Sequence, residues 1–180
     1  MRILGIGGTL RKGSYSKALL LEAQKLAPND TVIEITEIGD FPLYNPDIPM
    51  PDKVQEFKTK IKDSDAILFS TAEYNYSVPG ALKNAIDWGS RPYGNNSFDN
   101  KPAAIMSESI GTNAGSKAQY HLRQMMVYLN VHVLNKPEVM VPMVKDKFDE
   151  QGNLTDEHTK EKIKELLEAL IKWAERLKND

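Results

Sequence analysis

Cysteine is absent from this chain of 180 residues. Its absence excludes disulfide bonds, a catalytic thiolate, iron–sulfur ligation and cysteine-based zinc sites. No stretch approaches the roughly 20 apolar residues that a membrane-spanning helix needs, and the apolar run at the N-terminus is too short for a secretion signal. We therefore expect an intracellular protein of the reducing cytoplasm that does not bind a membrane.

Charge of one sign is not in excess either, since 23 basic residues stand against 25 acidic ones and the net charge is -2 at pH 7. The basic residues are scattered and form no run. Nucleic acids and anionic membranes attract proteins through a positive field, so we expect no nucleic-acid partner. The length suits a single domain, predicted to span residues 1–180, with a substantial core.

Motifs of several enzyme classes are also missing. The three histidines lack the spacing of metal ligands, and no G-x-S-x-G sequence provides the nucleophile of a serine hydrolase. Residues 146–152 carry three carboxylates, but without the alternate-residue spacing of a calcium-binding loop. We expect no metal site, and we interpret residues 146–152 as a solvated turn.

Short apolar runs alternate with helical patterns along the chain. Strands are predicted at Arg2–Ile6, Thr31–Ile35, Ala66–Thr71, Ala103–Ser107 and Val131–Val141. Helices are predicted at Tyr15–Leu26, Val54–Ile61, Pro79–Asp87 and Lys117–Leu129, with a last helix whose apolar stripe runs from Ile163 to Leu177. Such alternation is typical of right-handed β–α–β crossovers. It predicts an α/β three-layer sandwich with a five-stranded parallel sheet in the order 2-1-3-4-5.

A glycine-bearing loop, Gly7–Lys17, follows the first predicted strand and enters a helix. A helix N-terminus offers unpaired N–H groups and a partial positive charge, which together bind anions. Thr9, Ser14 and Ser16 add hydroxyl donors, and Arg11 can pair with phosphate oxygens. Neither triphosphate nor dinucleotide glycine fingerprints occur here. The loop therefore predicts a monophosphate site, with a solvated serine-capped turn as the alternative.

Two further polar loops follow predicted strands. The segment EYNYSVPGALKNAIDWGSR begins at Glu73 and places two tyrosines, an amide and a carboxylate just after the third strand. Residues 107–116 form a polar, glycine-bearing loop after the fourth strand. The carboxyl ends of parallel strands line the ligand crevice of an open α/β sheet. Three such loops therefore predict one binding site, although tyrosines 74 and 76 could alternatively cap the core.

These three segments resemble the NADPH-dependent FMN reductase family of flavodoxin-like proteins, which includes bacterial quinone, azo-dye and chromate reductases. GTLRKGSYSKAL is similar to the phosphate loop of that family, AEYNYSVPGALKNAIDWGSRP to its flavin loop, and ESIGTNAGSKAQYHLRQ to its third segment. The resemblance covers essentially the whole chain. The chain departs from the family at Ala72, Ser16 and Ala114, where proline, asparagine and glycine are common.

The resemblance implies bound FMN as the cofactor, with NADPH or NADH as co-substrate. It assigns the FMN phosphate to Thr9, Arg11, Ser14 and Ser16, with Lys17 nearby. It assigns the isoalloxazine ring to Glu73, Tyr74, Asn75 and Tyr76, largely through their backbone, and its other edge to Ser109 and Gly111. No catalytic side chain is expected, because the cofactor carries the hydride chemistry.

The family further implies that hydride reaches the flavin N5 and that a second substrate then takes two electrons at the same face, with ping-pong kinetics. Quinones, azo compounds, free flavins and metal oxyanions are all open as small-molecule acceptors. A homodimer or homotetramer is expected, with a contribution from the helix that follows Pro79. Two alternatives stand beside the reductase: a flavodoxin-type electron carrier without a nicotinamide site, and a non-catalytic flavodoxin-like module.

Overall fold

The computed structural model describes residues 1–178 and contains one parallel sheet of six strands. The strands are β1 (Arg2–Gly7), β2 (Val32–Thr36), β3 (Ala66–Ala72), β4 (Pro102–Glu108), β5 (His132–Val133) and β6 (Val139–Val141). The helices are α1 (Tyr15–Leu26), α2 (Asp52–Asp63), α3 (Gly80–Gly89), α4 (Ser116–Tyr128) and α5 (Glu157–Lys178). The strand order β2-β1-β3-β4-β5 confirms the predicted parallel sheet and its order.

The region predicted as a fifth strand, Val131–Val141, differs from the prediction because it forms two short strands. Pro102 pairs with His132 at one end of β4, and Glu108 pairs with Val141 at the other. Pro137 lies between them and has no N–H to donate to a strand ladder. The carbonyl of Leu134, at the start of this interruption, accepts a hydrogen bond from Arg123 Nη1 at 3.0 Å. β6 thereby reaches the carboxyl end of β4, beside the third polar loop.

Two apolar cores lie on opposite faces of the sheet. Ile67 and Phe69 of β3 belong to the core that packs against α2, α3 and α4. Ala66 and Leu68 of the same strand belong to the core beneath α1 and α5. Because both faces are covered, β3 is buried at every position and reads as an almost continuous apolar run. Within residues 1–178, no helix has the length and apolar character to traverse a lipid bilayer.

Polar side chains cap the N-termini of α1 and α5. Ser14 is the N-cap of α1, and its hydroxyl accepts a hydrogen bond from the N–H of Lys17 at 3.2 Å. Asp156 precedes α5, and its carboxylate accepts from the N–H of Thr159 at 2.9 Å. Pro79 is the N-cap of α3 rather than its first helical residue. These caps fix where the loops at the carboxyl edge of the sheet end.

Lys58 on α2 is a buried cation whose role sequence reasoning missed. Its side chain is fully buried, and its ammonium donates to the carbonyl oxygens of Gly89, Arg91 and Asn95 at 3.1, 2.5 and 2.8 Å. An ammonium has three donors, so these three carbonyls satisfy it completely. Burial lowers the pKa of Lys58 to about 8. The residue therefore ties α2 to the loop that follows α3.

Candidate functional site

The three polar loops meet at the carboxyl ends of β1, β3 and β4 and enclose a cleft. Its volume is about 230 Å³. The lining residues come from all three loops and are Thr9, Arg11, Ser14, Tyr15, Ala72, Glu73, Tyr74, Glu108, Ser109 and Ile110. The structure thus brings together six of the eleven residues that the sequence assigned to a site: Thr9, Arg11, Ser14, Glu73, Tyr74 and Ser109.

The first loop presents a concentrated set of anion-binding donors. The N–H groups of Tyr15 and Ser16 lie in the first turn of α1, where no intrahelical carbonyl can accept from them. The hydroxyls of Thr9 and Ser14 lie 2.5 Å apart. Arg11 is exposed, and within residues 1–178 it forms no salt bridge. N–H groups, hydroxyls and a guanidinium at a helix N-terminus suit a phosphate monoester, so this set fits the phosphate of FMN.

Ser16 and Lys17 differ from the other residues of the first loop in where their side chains lie. The Ser16 hydroxyl is buried and donates to Glu108 Oε1 at 2.9 Å. Lys17 donates to Glu37 Oε1 at 2.5 Å on the exposed surface. Ser16 can therefore reach an anion in the cleft through its backbone N–H, whereas Lys17 lies on the outer side of the loop. The assignment of Lys17 to the neighbourhood of the phosphate stays a prediction.

Glu108 is a buried carboxyl that lines the cleft; it opens the third polar segment of the sequence, which gave it no role in the site. Burial raises the pKa of Glu108, while the hydrogen bond from Ser16 and the positive charge of Arg11 act in the opposite direction. The folded chain therefore holds this proton more tightly than the unfolded chain does. The stability that the protonated group contributes is complete below its ordinary pKa and is lost as the pH rises through the raised value.

We expect Glu108→Gln to stabilise the fold by about 1 kcal/mol at pH 8, because a neutral amide avoids the cost of a buried charge. The difference from wild type should shrink towards pH 4, where Glu108 is protonated in both states. Urea unfolding across this pH range measures it. Glu168→Gln on the exposed face of α5 is the matched control, and equal pH profiles for wild type and Glu108→Gln would contradict the interpretation.

The second loop begins with a tight backbone turn. Tyr74 and Ser77 exchange two backbone hydrogen bonds at 2.9 and 3.0 Å. Asn75 and Tyr76 between them have φ values of 51° and 66°, which is the signature of a type I′ turn. Bulky residues rarely adopt positive φ. The turn leaves the rings of Tyr74 and Tyr76 about 50% and 64% exposed, and Tyr74 lines the cleft.

Glu73 and Tyr76 connect the second loop to the third. The Glu73 carboxylate accepts from the N–H groups of Lys117 and Ala118 at 3.0 and 3.3 Å. It supplies the cap that Gly115, the N-cap of α4, has no side chain to provide. The Lys117 ammonium lies 3.3 Å from the centroid of the Tyr76 ring, within the range of a cation–π contact. Sequence reasoning missed both contacts, because the partners lie more than 40 residues apart.

The third loop is held by the last residue of β6 and by the segment that follows it. The N–H of Ser109 donates to Val141 at 3.1 Å, and the carbonyl of Gly111 accepts from Met143 at 3.0 Å. The Ser109 hydroxyl donates to the Gly111 carbonyl at 3.0 Å. Ala114 adopts a φ of 56°, and the Ser107 hydroxyl donates to its carbonyl at 2.9 Å. The departure from glycine at this position is therefore accommodated in the left-handed region.

Glycine is required at the next position. Gly115 has a φ of 72°, and a Cβ there would lie 2.8 Å from the carbonyl oxygen of Glu108. Such a distance is closer than real Cβ contacts allow, so a side chain would push α4 away from the end of β4. Gln119 of α4 strengthens the same junction, because its amide donates to Ser107 Oγ at 3.0 Å and to the Val139 carbonyl at 3.2 Å.

Comparison with known proteins gives one family. The sequence model of NADPH-dependent FMN reductases matches residues 1–146. An NAD(P)H-dependent FMN reductase of Pseudomonas aeruginosa is 49% identical over 99% of this chain and 97% of that protein. An NADPH:quinone oxidoreductase of Arabidopsis thaliana is 42% identical over 98% of this chain and 93% of that protein. The solved structure of FerB, a flavoenzyme NAD(P)H:(acceptor) oxidoreductase of Paracoccus denitrificans, is similar with a TM-score of 0.89, 36% identity and 97% of each chain covered.

The similarity extends over nearly the full length of the chain and of its relatives. It includes all three loops of the cleft, since the family model spans from the first strand to the segment after β6. The resemblance that the loop motifs indicated is thus confirmed, together with the parallel sheet on which they lie. This chain belongs to the NADPH-dependent FMN reductase family of oxidoreductases.

Proposed function

We propose that this chain is an FMN-dependent oxidoreductase that passes two electrons from NADPH or NADH to a small-molecule acceptor, foremost a quinone. One observation carries the proposal: an anion site, an exposed aromatic turn and a third polar loop line a single cleft. Family membership supports FMN as the cofactor. Relatives named as quinone oxidoreductases favour quinones over azo compounds, free flavins and metal oxyanions.

In this proposal the phosphate of FMN is held by Thr9, Arg11 and Ser14, together with the free N–H groups at the start of α1. Tyr74 to Tyr76 and Ser109 to Gly111 flank the ring. When bound, FMN supplies two-electron hydride chemistry, so the protein needs no nucleophile. The hydrogen bonds that tie Glu73 to α4 and Gly111 to Met143 keep the two ring-facing loops at a fixed separation.

Both substrates are proposed to enter the same open side of the cleft in turn. The exposed ring of Tyr74 marks that side, and Glu108, which accepts a hydrogen bond from Ser16, closes the opposite one. Initial rates measured with varied NADPH and varied 1,4-benzoquinone should therefore give parallel double-reciprocal lines. Intersecting lines would require both substrates to be bound together and would contradict the shared site.

The preferred class of acceptor is tested by measuring the rate with four acceptors, each in a separate assay at the same concentrations. 1,4-Benzoquinone, an azo dye, free FMN and chromate are each supplied with NADPH to the FMN-loaded protein. We expect the highest kcat/KM with the quinone. A quinone that reacts at least tenfold more slowly than one of the other three would overturn the preference while leaving the reductase assignment intact.

We further propose that the protein forms a homodimer or homotetramer through the surface of α4 and the neighbouring α3. Tyr120, Val127 and Tyr128 lie along one face of α4 and are 56%, 80% and 73% exposed. Apolar side chains clustered on one face mark an interaction surface. Sedimentation equilibrium at micromolar concentration should show an oligomer, and Val127→Glu should shift it towards the monomer. A wild-type protein that sediments only as a monomer would contradict this proposal.

A further inference from the structure

A second cavity lies on the outer side of the first loop and has a volume of about 600 Å³. This volume is within the range of small-molecule sites. Its walls include Tyr15 and Phe148, whose ring centroids are 5.4 Å apart, and Leu21, which is 44% exposed although it is a large apolar residue. Such walls suit a flat heteroaromatic group, for which aromatic side chains provide stacking surface.

Two lysines on the rim of this cavity are free to bind an anion. Lys12 comes from the first loop and Lys145 from the turn after β6. Within residues 1–178 neither forms a salt bridge or a side-chain hydrogen bond, whereas Lys17 is paired with Glu37 and Lys147 with Asp156.

The carboxylates at the rim are Asp149 and Glu150. Asp149 accepts from the N–H and side-chain amide of Asn153 at 2.7 and 3.0 Å, so it is directed to its own turn. Its hydrogen bonds also hold the pKa of Asp149 below its ordinary value. Arg11, Lys12, Lys17 and Lys145 outnumber these two acids, and the cavity lining is net positive.

We propose that this cavity binds the adenosine 2′-phosphate end of NADPH, with the base packed against the wall formed by Tyr15, Leu21 and Phe148 and the phosphate on Lys12 and Lys145. The inference rests on the proposed function, which requires a reduced nicotinamide dinucleotide. That molecule combines a flat base with phosphate groups, and its 2′-phosphate is the one feature that NADH lacks. Lysine ammonium groups bind phosphate as compact point charges.

The cavity adjoins the cleft between the three loops. Arg11, Ser14 and Tyr15 line this cavity and also line the cleft between the three loops. The two spaces therefore share a wall at the start of α1, and the proposal has one dinucleotide occupy both. The sequence could not indicate this site, because Lys12 and Lys145 are far apart along the chain and neither belongs to a basic run.

Adenosine 2′,5′-bisphosphate tests the site by calorimetric titration of the FMN-loaded protein. We expect it to bind at least tenfold more tightly than adenosine 5′-monophosphate. The double variant Lys12→Ala/Lys145→Ala should weaken the bisphosphate at least tenfold and should lower the NADPH-to-NADH ratio of kcat/KM by a similar factor. The control Lys164→Ala/Lys172→Ala removes the same charge from exposed positions of α5 and should change either value less than twofold.

Equal affinity of the double variant and wild type for the bisphosphate would overturn the inference, as would equal affinity of wild type for the bisphosphate and the monophosphate. Binding of a second FMN per chain that is lost in the double variant would also overturn it, because the cavity would then be an acceptor site. Retained FMN in any of these cases shows that only this site has failed. A protein that takes up no FMN would instead contradict the proposed function.

Discussion

Arg11→Ala is expected to weaken FMN binding roughly 10- to 150-fold. A hydrogen bond to a charged group contributes about 1.5–3 kcal/mol, and each 1.4 kcal/mol corresponds to about a tenfold change in affinity. Arg11 lines the cleft beside Thr9 and Ser14, and within the described part of the chain it forms no salt bridge that FMN would have to break. Titration of the apoprotein with FMN, followed by quenching of flavin fluorescence, measures the change.

Two matched variants separate charge from geometry at this position. Arg11→Lys keeps the positive charge but loses the planar fork that pairs with phosphate oxygens, so its affinity should lie between wild type and Arg11→Ala. Lys12→Ala removes the same charge one residue further along the loop, and we expect less than a threefold loss of FMN. Unchanged FMN affinity in Arg11→Ala would remove Arg11 from the phosphate site.

Lys58→Met is expected to lower the free energy of unfolding by roughly 2–4 kcal/mol. The substitution preserves much of the aliphatic chain but leaves the carbonyls of Arg91 and Asn95 without their donor, whereas Gly89 keeps the N–H of Ser97. Each buried unsatisfied group costs about 1–3 kcal/mol. Water that enters the loop can donate to some of these carbonyls, which keeps the total loss of stability below the sum of the separate costs. Urea unfolding at pH 7 measures the loss, and a variant as stable as wild type would contradict the structural role of Lys58.

Lys62→Met is the control for this substitution, since Lys62 lies one turn later on α2 and contacts the same loop from solvent, donating to Asn95 Oδ1 at 2.7 Å. We expect it to cost less than 1 kcal/mol, as exposed polar contacts do. A pH series adds a second test. The pKa of Lys58 is lowered to about 8 in the folded chain, so the unfolded chain holds this proton more tightly. The free energy of unfolding of wild type should therefore increase as the pH rises from 8 to the ordinary lysine pKa. Lys58→Met should lack that gain.

Local patterns were enough to predict most of the framework. The bounds of α1 agree with the prediction at both ends, because Ser14 caps the helix and its apolar positions repeat with helical spacing. β3 was predicted from its run of apolar residues. Such a run is typical of a strand that is covered on both faces, and β3 is indeed buried at every position. The carboxyl ends of parallel strands meet at one edge, so the convergence of the three loops followed from their order along the chain.

Contacts between distant residues were beyond such patterns. The hydrogen bond from Ser16 to Glu108 joins α1 to the end of β4 across 92 positions, and no periodicity indicates such a pair. Lys58 did leave a signal, because it lies on the apolar face of α2 with Val54, Phe57 and Ile61. A lysine on a buried stripe suggests an ammonium with internal acceptors, but only the structure shows which carbonyls accept.

In the predicted site, too, local patterns located some features, whereas others depend on contacts between distant residues. Asn75 and Tyr76 were assigned to the ring through their backbone, and the structure places both in a left-handed turn directly after Tyr74, which lines the cleft. The cap that the Glu73 carboxylate provides for α4 could not be inferred, because it depends on how closely the second and third loops approach. Motifs thus located the loops, whereas packing decided which atom of each residue faces the cleft.

The absorption spectrum of the purified protein with added FMN, recorded before and after anaerobic NADPH, tests the central claim most directly. We expect flavin bands near ~450 nm that stay with the protein on gel filtration and that NADPH bleaches rapidly. Bound flavin that stays yellow with NADPH would identify an electron carrier without a nicotinamide site. A protein that retains no flavin would contradict the assignment of the three-loop cleft as an FMN site.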